Sequence, residues 1–148
     1  MKHLFPMFVA ALAAAFLLPG CSSLCSADGN AALMKRFKQA DKNSDGKVCR
    51  DEFADFMIAE AFAGYDKKGD GYVTLAEFVE GGGTAKTFRK IDRTGSGKVT
   101  LADAQASKIV RDQMSIPFDE ADAEFGDKGF ISFNEFVAFR KAARDYVR

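Results

Sequence analysis

The 148-residue chain has no tryptophan, a single histidine at position 3, three cysteines and three prolines, and its 21 basic and 21 acidic residues cancel. Each shortage removes a class of function. A disulfide-rich scaffold needs more cysteine than this. A zero formal net charge offers a polyanion no field, and no basic cluster makes up for it, so a nucleic-acid partner is not expected. His3 lies in a segment read below as removed. Without it no imidazole remains for a Ser-His-Asp triad, a histidine general base or a mixed histidine zinc site. No nucleophile with a base beside it and no glycine-rich phosphate cradle is visible, so an enzyme is not expected either. The composition, 47% hydrophobic and 28% charged, is that of a globular chain of about one domain.

Residues 1–20, MKHLFPMFVAALAAAFLLPG, carry Lys2 as their one firm charge and read as a signal peptide. The apolar run from Met7 to Leu18 is short of the ~20 residues a membrane-spanning helix needs, which makes a transmembrane helix the weaker reading. Leu18-Pro19-Gly20-Cys21 resembles the lipobox of bacterial lipoproteins, although Pro19 is an unusual occupant. The resemblance implies that Cys21 becomes the lipid-modified N-terminus, and Ser22 after it points to the outer membrane of a Gram-negative cell. The alternative is ordinary cleavage with Cys21 left as a thiol. Residues 21–30 are polar and read as a linker, and the chain after residue 20 would carry 20 basic and 21 acidic residues.

Four segments repeat beyond that point: FKQADKNSDGKVCRDEF from Phe37, FAGYDKKGDGYVTLAEF from Phe62, FRKIDRTGSGKVTLADA from Phe88 and FDEADAEFGDKGFISFNEF from Phe118. Each places Phe four residues before an Asp (41, 66, 92, 122), then a Gly, then a β-branched residue two places on. On these residues the chain resembles the EF-hand family from about residue 31 to 140. The fold expected is all-α, with four EF-hand-like helix-loop-helix units in two pairs joined by short β bridges. The pairs are taken as 31–80 and 84–148, with Val48 bridging to Val73.

The resemblance implies calcium as the bound ion, because a loop of this kind offers about six to eight hard oxygens from positions 1, 3, 5, 7, 9 and 12 around a glycine at 6. Loop one meets the pattern with Asp41, Asn43, Asp45, the Lys47 carbonyl and Glu52. Loop two keeps Asp66, Asp70, the Tyr72 carbonyl and Glu77 but sets Lys68 at position 3, where an ammonium cannot coordinate a cation. Loop three has Asp92, Thr94, Ser96 and Asp103, only two of them carboxylates, and reads as a structural remnant before a weak or magnesium-tolerant site. Loop four admits two registers: backward from Glu135, which puts Glu124 at position 1, or forward from Asp122 with two residues inserted. Neither gives the usual ligands, so this loop is expected to complete a pair.

Between the loops the spacing is helical. Leu33, Phe37 and Ala40 stripe the first helix with Asn30 as its cap, and Phe53 to Tyr65 leaves so little chain that one exit helix nearly merges with the next entry helix. The glycines at 81–83 mark the expected boundary between pairs, Thr84 caps the helix bearing Phe88 and Ile91, and Pro117 starts a helix of its own. The twelve Phe residues after residue 20 are read as core in preference to a target groove, and the terminal Arg140, Lys141, Arg144 and Arg148 as a solvated face. Cys25 and Cys49 either pair as a disulfide or remain thiols. The function expected is that of a lipid-anchored envelope calcium sensor, with a calcium-stabilised structural tether as the alternative.

Overall fold

The computed structural model describes residues 27–122 and 128–145. The export segment, Cys21, Cys25 and most of the linker therefore lie outside the described residues. No helix among those described is long and apolar enough to cross a membrane. The chain is mostly helical with short strand bridges: α1 (Ala27–Ala40), β1 (Val48–Cys49), α2 (Arg50–Tyr65), β2 (Tyr72–Thr74), α3 (Leu75–Glu80), α4 (Ala85–Ile91), β3 (Lys98–Thr100), α5 (Leu101–Ala106), α6 (Lys108–Ala121), β4 (Phe130–Ile131) and α7 (Phe133–Asp145).

The strands pair differently from the sequence expectation. Antiparallel β1 and β4 match Val48 with Ile131, and antiparallel β2 and β3 match Val73 with Val99. No Val48–Val73 bridge forms. The first loop thus pairs with the fourth and the second with the third, and the chain divides into two compact units accordingly. The described part of one runs without a break, Met57–Asp112. The other is split, assembled from the described parts of Pro19–Phe56 and Gln113–Arg148. The division falls inside α2 and inside α6, not at the glycines. The expected pairs 31–80 and 84–148 give way to this nesting because a strand buries its β-branched residue only against the partner that the topology delivers.

The split unit is an aromatic core. Phe37 meets Phe133 and Phe136 edge-on at centroid distances of 5.5 and 5.6 Å, Phe53 meets Phe118 and Phe139 at 5.6 Å each, and Phe56 meets Phe136 at 5.8 Å. Such pairs each add about 0.5 to 1.5 kcal/mol beyond the area they bury. Leu33, Phe37 and Ala40 are buried as their spacing requires, but Asn30 stands exposed inside α1 because the helix already runs from Ala27. Arg140 is likewise no surface cation. It is 5% exposed, with its guanidinium 5.7 and 5.6 Å from the Phe56 and Phe136 rings.

Pro117 lies within α6 instead of starting a helix. Its missing N–H removes one helical hydrogen bond, a cost of about 3 kcal/mol in an ordinary helix interior. Here Met114, Pro117, Phe118 and Ala121 all face the core at helical spacing, and that burial keeps the helix intact.

In the continuous unit Tyr65, Phe78 and Phe88 stack in sequence, at 5.0 and 5.7 Å. The glycines do end α3 here, with the Gly81 N–H bonded to the Glu77 carbonyl. They separate no units: a Cβ on Gly81 would enter the Tyr65 ring and one on Gly83 the Phe78 ring, so glycine is needed for packing. Thr84 caps α4 as expected, accepting from the Thr87 N–H. The single helix α2 realises the merged exit and entry helices anticipated from the short spacing.

Candidate metal centre

Each loop is organised by the carboxylate at its first position. Asp41 Oδ1 accepts from the Asp45 N–H at 3.1 Å and Oδ2 from the Gly46 N–H at 3.0 Å. Asp66 does the same with Asp70 (3.1 Å) and Gly71 (2.9 Å), and Asp92 with Ser96 (3.0 Å) and Gly97 (2.7 Å). The partner glycine has φ of 83, 84 and 76° in these loops, a left-handed turn that a side chain would strain. In the fourth loop the Gly129 N–H, at φ 95°, bonds Asp122 Oδ2 at 2.9 Å. That repeats the aspartate-glycine bond of the other three and favours the register from Asp122 with two residues inserted. Residues 123–127, Glu124 among them, lie outside the described residues.

The far end of each loop is a helix N-terminus. Thr74 and Glu77, and Thr100 and Asp103, form reciprocal capping boxes at the starts of α3 and α5. Ser132 and Glu135 bond in the same way, with the Ser132 N–H and hydroxyl 2.8 and 2.6 Å from Glu135 Oε2. Position 9 is therefore the cap and position 12 the third helical residue. Loop one keeps only half of this device: Cys49 stands at the cap, and its N–H reaches Glu52 Oε2 at 3.0 Å. Cys49 is a free thiol; its expected partner, Cys25, lies outside the described residues.

Loop one holds the fullest oxygen set. Asn43 Oδ1 accepts from the Asp45 N–H at 3.0 Å, its Nδ2 donates to Asp45 Oδ2 at 2.9 Å, and Asp45 Oδ1 accepts from the Lys47 N–H at 2.9 Å. Glu52, 8% exposed, turns Oε1 onto the N–H groups of Lys42 and Asn43 at 3.1 and 3.2 Å. Burial pushes the Glu52 carboxyl up, but the donors at Cys49, Asn43 and Lys42 outweigh it, and the group lies below its ordinary pKa. The Lys42 ammonium pairs with Asp55 at 2.7 Å, and that of Lys47 lies over the Phe130 ring, 5.5 Å from its centroid.

The donor chemistry of Asp41, Asn43, Asp45, the Lys47 carbonyl and Glu52 suits a hard divalent cation. Among the described residues no three His, Cys, Asp or Glu side chains converge as a ready cluster. The Glu52 oxygens are engaged by backbone N–H groups, so bidentate coordination requires that Oε1 leave Lys42 and Asn43.

Loop two differs at the point the sequence flagged. Glu77 is 5% exposed, its Oε2 bonded to the Thr74 N–H (2.9 Å) and hydroxyl (2.7 Å). Its buried Oε1 accepts no hydrogen bond, and the Lys68 ammonium lies 3.5 Å away in an ion pair. The Thr74 donors lead in holding the Glu77 carboxyl below its ordinary pKa, against a smaller push from burial and with help from Lys68. Asp66 also accepts from the Gly69 N–H at 2.8 Å, Asp70 from the Tyr72 N–H at 3.4 Å, and the Tyr72 ring lies under the Lys98 ammonium.

Loop three is closed by hydroxyls. Thr94 Oγ1 donates to Asp92 Oδ1 at 3.2 Å, and Ser96 Oγ lies 3.3 Å from the same oxygen and 2.9 Å from the Lys98 carbonyl. Burial raises the Asp92 carboxyl, yet the Gly97, Ser96 and Thr94 donors bring it below its ordinary value. The shorter side chain of Asp103 accepts at Oδ2 from the Thr100 hydroxyl and N–H at 2.6 and 3.0 Å. Thr100 is the main reason its carboxyl is also depressed.

Sequence reasoning singled out Lys68 but missed its pairing with Glu77, and it missed the caps, although the Thr-x-x-Glu, Thr-x-x-Asp and Ser-x-x-Glu spacings announce them. It also missed Ser44, which holds φ 60° where the next two loops have Gly69 and Gly95 at 69 and 68°.

Residues 33–57 and 84–103 match the model of the EF hand family. The chain is also similar to the probable calcium-binding protein CML31 of Arabidopsis thaliana, 27% identical over 131 residues that cover 68% of this chain and 90% of the relative. Both findings support calcium binding, with Ca²⁺ as the ion.

Proposed function

We propose that the protein is a calcium-binding module in which loop one is the principal site, with Asp41, Asn43, Asp45, the Lys47 carbonyl and Glu52 as its ligands. The observation that carries this is the contrast in donor sets. Of the three loops described throughout, loop one alone presents oxygens at positions 1, 3, 5 and 12 with no lysine at those positions and no hydroxyl donating inward. In loop two Asp66, Asp70, the Tyr72 carbonyl and Glu77 form a secondary site opposed by Lys68. In loop three Asp92, Thr94, Ser96 and Asp103 serve the fold, and the fourth loop, closed on Asp122, supplies the strand that β1 needs. On the shared aspartate-glycine bond we read all four as variants of one hand.

When bound, calcium neutralises the loop-one carboxylates. Glu52, in the first turn of α2, would hold the ion with its carboxylate and would exchange for it the N–H bonds that Lys42 and Asn43 make to Oε1. The signal-like segment and Cys21 support a lipid-anchored protein facing the periplasm of a Gram-negative envelope, where sites of about 10⁻⁴ to 10⁻³ M suit environmental calcium. We read it as a sensor in that setting; a calcium-stabilised tether is the second reading. Calorimetric titration of the chain tests the first claim: the tightest event is expected to be lost in Asp41→Ala and Glu52→Gln. Unchanged titration in either variant overturns loop one as the principal site. A calcium-induced rise in dye-accessible apolar surface separates sensor from tether, and a membrane fraction that retains Cys21→Ala as well as the parent overturns the anchor.

A further inference from the structure

We infer that Lys68 is a tethered cation that holds loop two closed in the absence of calcium, so that the continuous unit has its counter-ion built in. The inference rests on the calcium reading of loop one and extends it to what the second loop does instead.

Glu52 and Glu77 occupy equivalent places, and both are almost fully buried. Glu52 satisfies both oxygens with N–H donors from its own loop. Glu77 does not. The N–H of Lys67, which corresponds to that of Lys42, bonds back to the Tyr65 carbonyl at 2.9 Å, and Glu77 Oε1 is left buried without a hydrogen bond. A buried carboxylate oxygen in that condition is costly unless a positive charge compensates it. The charge present is the Lys68 ammonium at 3.5 Å, on a side chain that is 66% exposed and reaches in from solvent.

Two consequences follow from the same contact. Asp66, Asp70 and Glu77 put three negative charges into a short loop, and Lys68 offsets one of them without any ion from solution. A divalent cation approaching Glu77 Oε1 meets a like charge first and must displace it. Lys67, the neighbouring lysine, takes no part: its ammonium pairs outward with Glu80 at 2.7 Å.

The test follows the Gly46 and Gly71 amides by NMR during calcium titration of the full chain, because each N–H bonds the first carboxylate of its own loop. In the parent, Gly46 is expected to saturate first and Gly71 only at much higher calcium. Lys68→Met should bring the Gly71 midpoint down by about ten-fold while leaving Gly46 where it was. In chelator the same variant should lose protection from exchange at Gly71 and Thr74, and calcium should restore it. Lys68→Arg, which keeps the charge, should behave as the parent. Co-saturation of Gly71 and Gly46 in the parent overturns the inference, as does an unchanged Gly71 response in Lys68→Met or an arginine variant that matches the methionine one. Failure of Gly46 to respond in any form overturns instead the calcium reading on which it rests.

Discussion

Loops one and two share an aspartate-glycine clasp and a buried glutamate at the start of the following helix, yet they treat that glutamate differently. In loop one backbone N–H groups engage both oxygens of Glu52. In loop two one oxygen of Glu77 faces a lysine. The lesson is that the ligand count of a loop does not by itself describe its state without metal. What matters is which protein group stands in for the ion: backbone donors that can be exchanged, or a charge that must be expelled.

The largest expected effect comes from the core that carries loop one. Phe136 is fully buried between Phe37 and Phe56, and Phe136→Ala should cost about 3 to 5 kcal/mol in denaturant unfolding. Amide exchange should rise more at Val48 than at Val73; equal increases would mean that the two units do not differ in what supports their loops.

Next is the proposed metal site. Asp41→Ala would remove both the proposed first ligand and the acceptor for Asp45 and Gly46, and a loss of about 100-fold in the tightest affinity, ~2.7 kcal/mol, is expected by calorimetry. Asp66→Ala should leave that event in place. If the two substitutions act alike, the loops are equivalent and the contrast fails.

Acid should affect the first three loops. Glu52 and Glu77 are held below their ordinary value of 4.5, and Asp92 and Asp103 below 3.8. The folded chain binds these protons less readily than the unfolded chain, so stability in calcium-free buffer is full above those values. It is lost as pH falls through them toward the depressed folded values. Melting temperature against pH should be level near neutrality and fall below about pH 4.5, and Glu77→Gln should make the fall shallower.

The smallest effect isolates the backbone. Ser44 occupies a left-handed conformation that Gly69 and Gly95 occupy in the next loops, and Ser44→Gly should relieve strain against a cost in chain entropy. A net gain of about 0.5 kcal/mol in chelator is expected from thermal unfolding, and a loss would show that Ser44 is not strained.

Much of this was legible in the sequence. Phe, Asp, Gly and a β-branched residue at fixed spacing are enough to place the loops, the strand residues Val48, Val73, Val99 and Ile131, and the oxygens of loop one. Thr84 announced its helix because a hydroxyl three residues before a free N–H is a local matter. The partner of Val48 was not legible, since any of three β-branched residues satisfies the same local chemistry and only the path of the chain selects Ile131. Pro117 and Arg140 misled for a related reason: proline and arginine carry strong local preferences, and burial on the same helix face as Met114 and Phe118, or beside the Phe56 and Phe136 rings, outweighs them. Lys68 was legible as an intruder, but its pairing with Glu77 depends on which backbone N–H groups the loop has left over.

The nested pairing of strands also sets an order of synthesis. Everything that closes β2 on β3 has been made once the chain reaches Thr100, whereas β1 waits for Phe130 and Ile131. As translation proceeds from the N-terminus, the segment with its own internal cation can therefore close early, around a short stretch of sequence. Loop one, made first, must wait through a long loop closure for its partner strand. During that interval its carboxylates are synthesised and solvated but not yet assembled, so the half that carries the proposed principal site is the last to complete its strand pair. A chain arrested shortly after residue 112 would contain both strands of the β2–β3 pair but only the first strand of the β1–β4 pair.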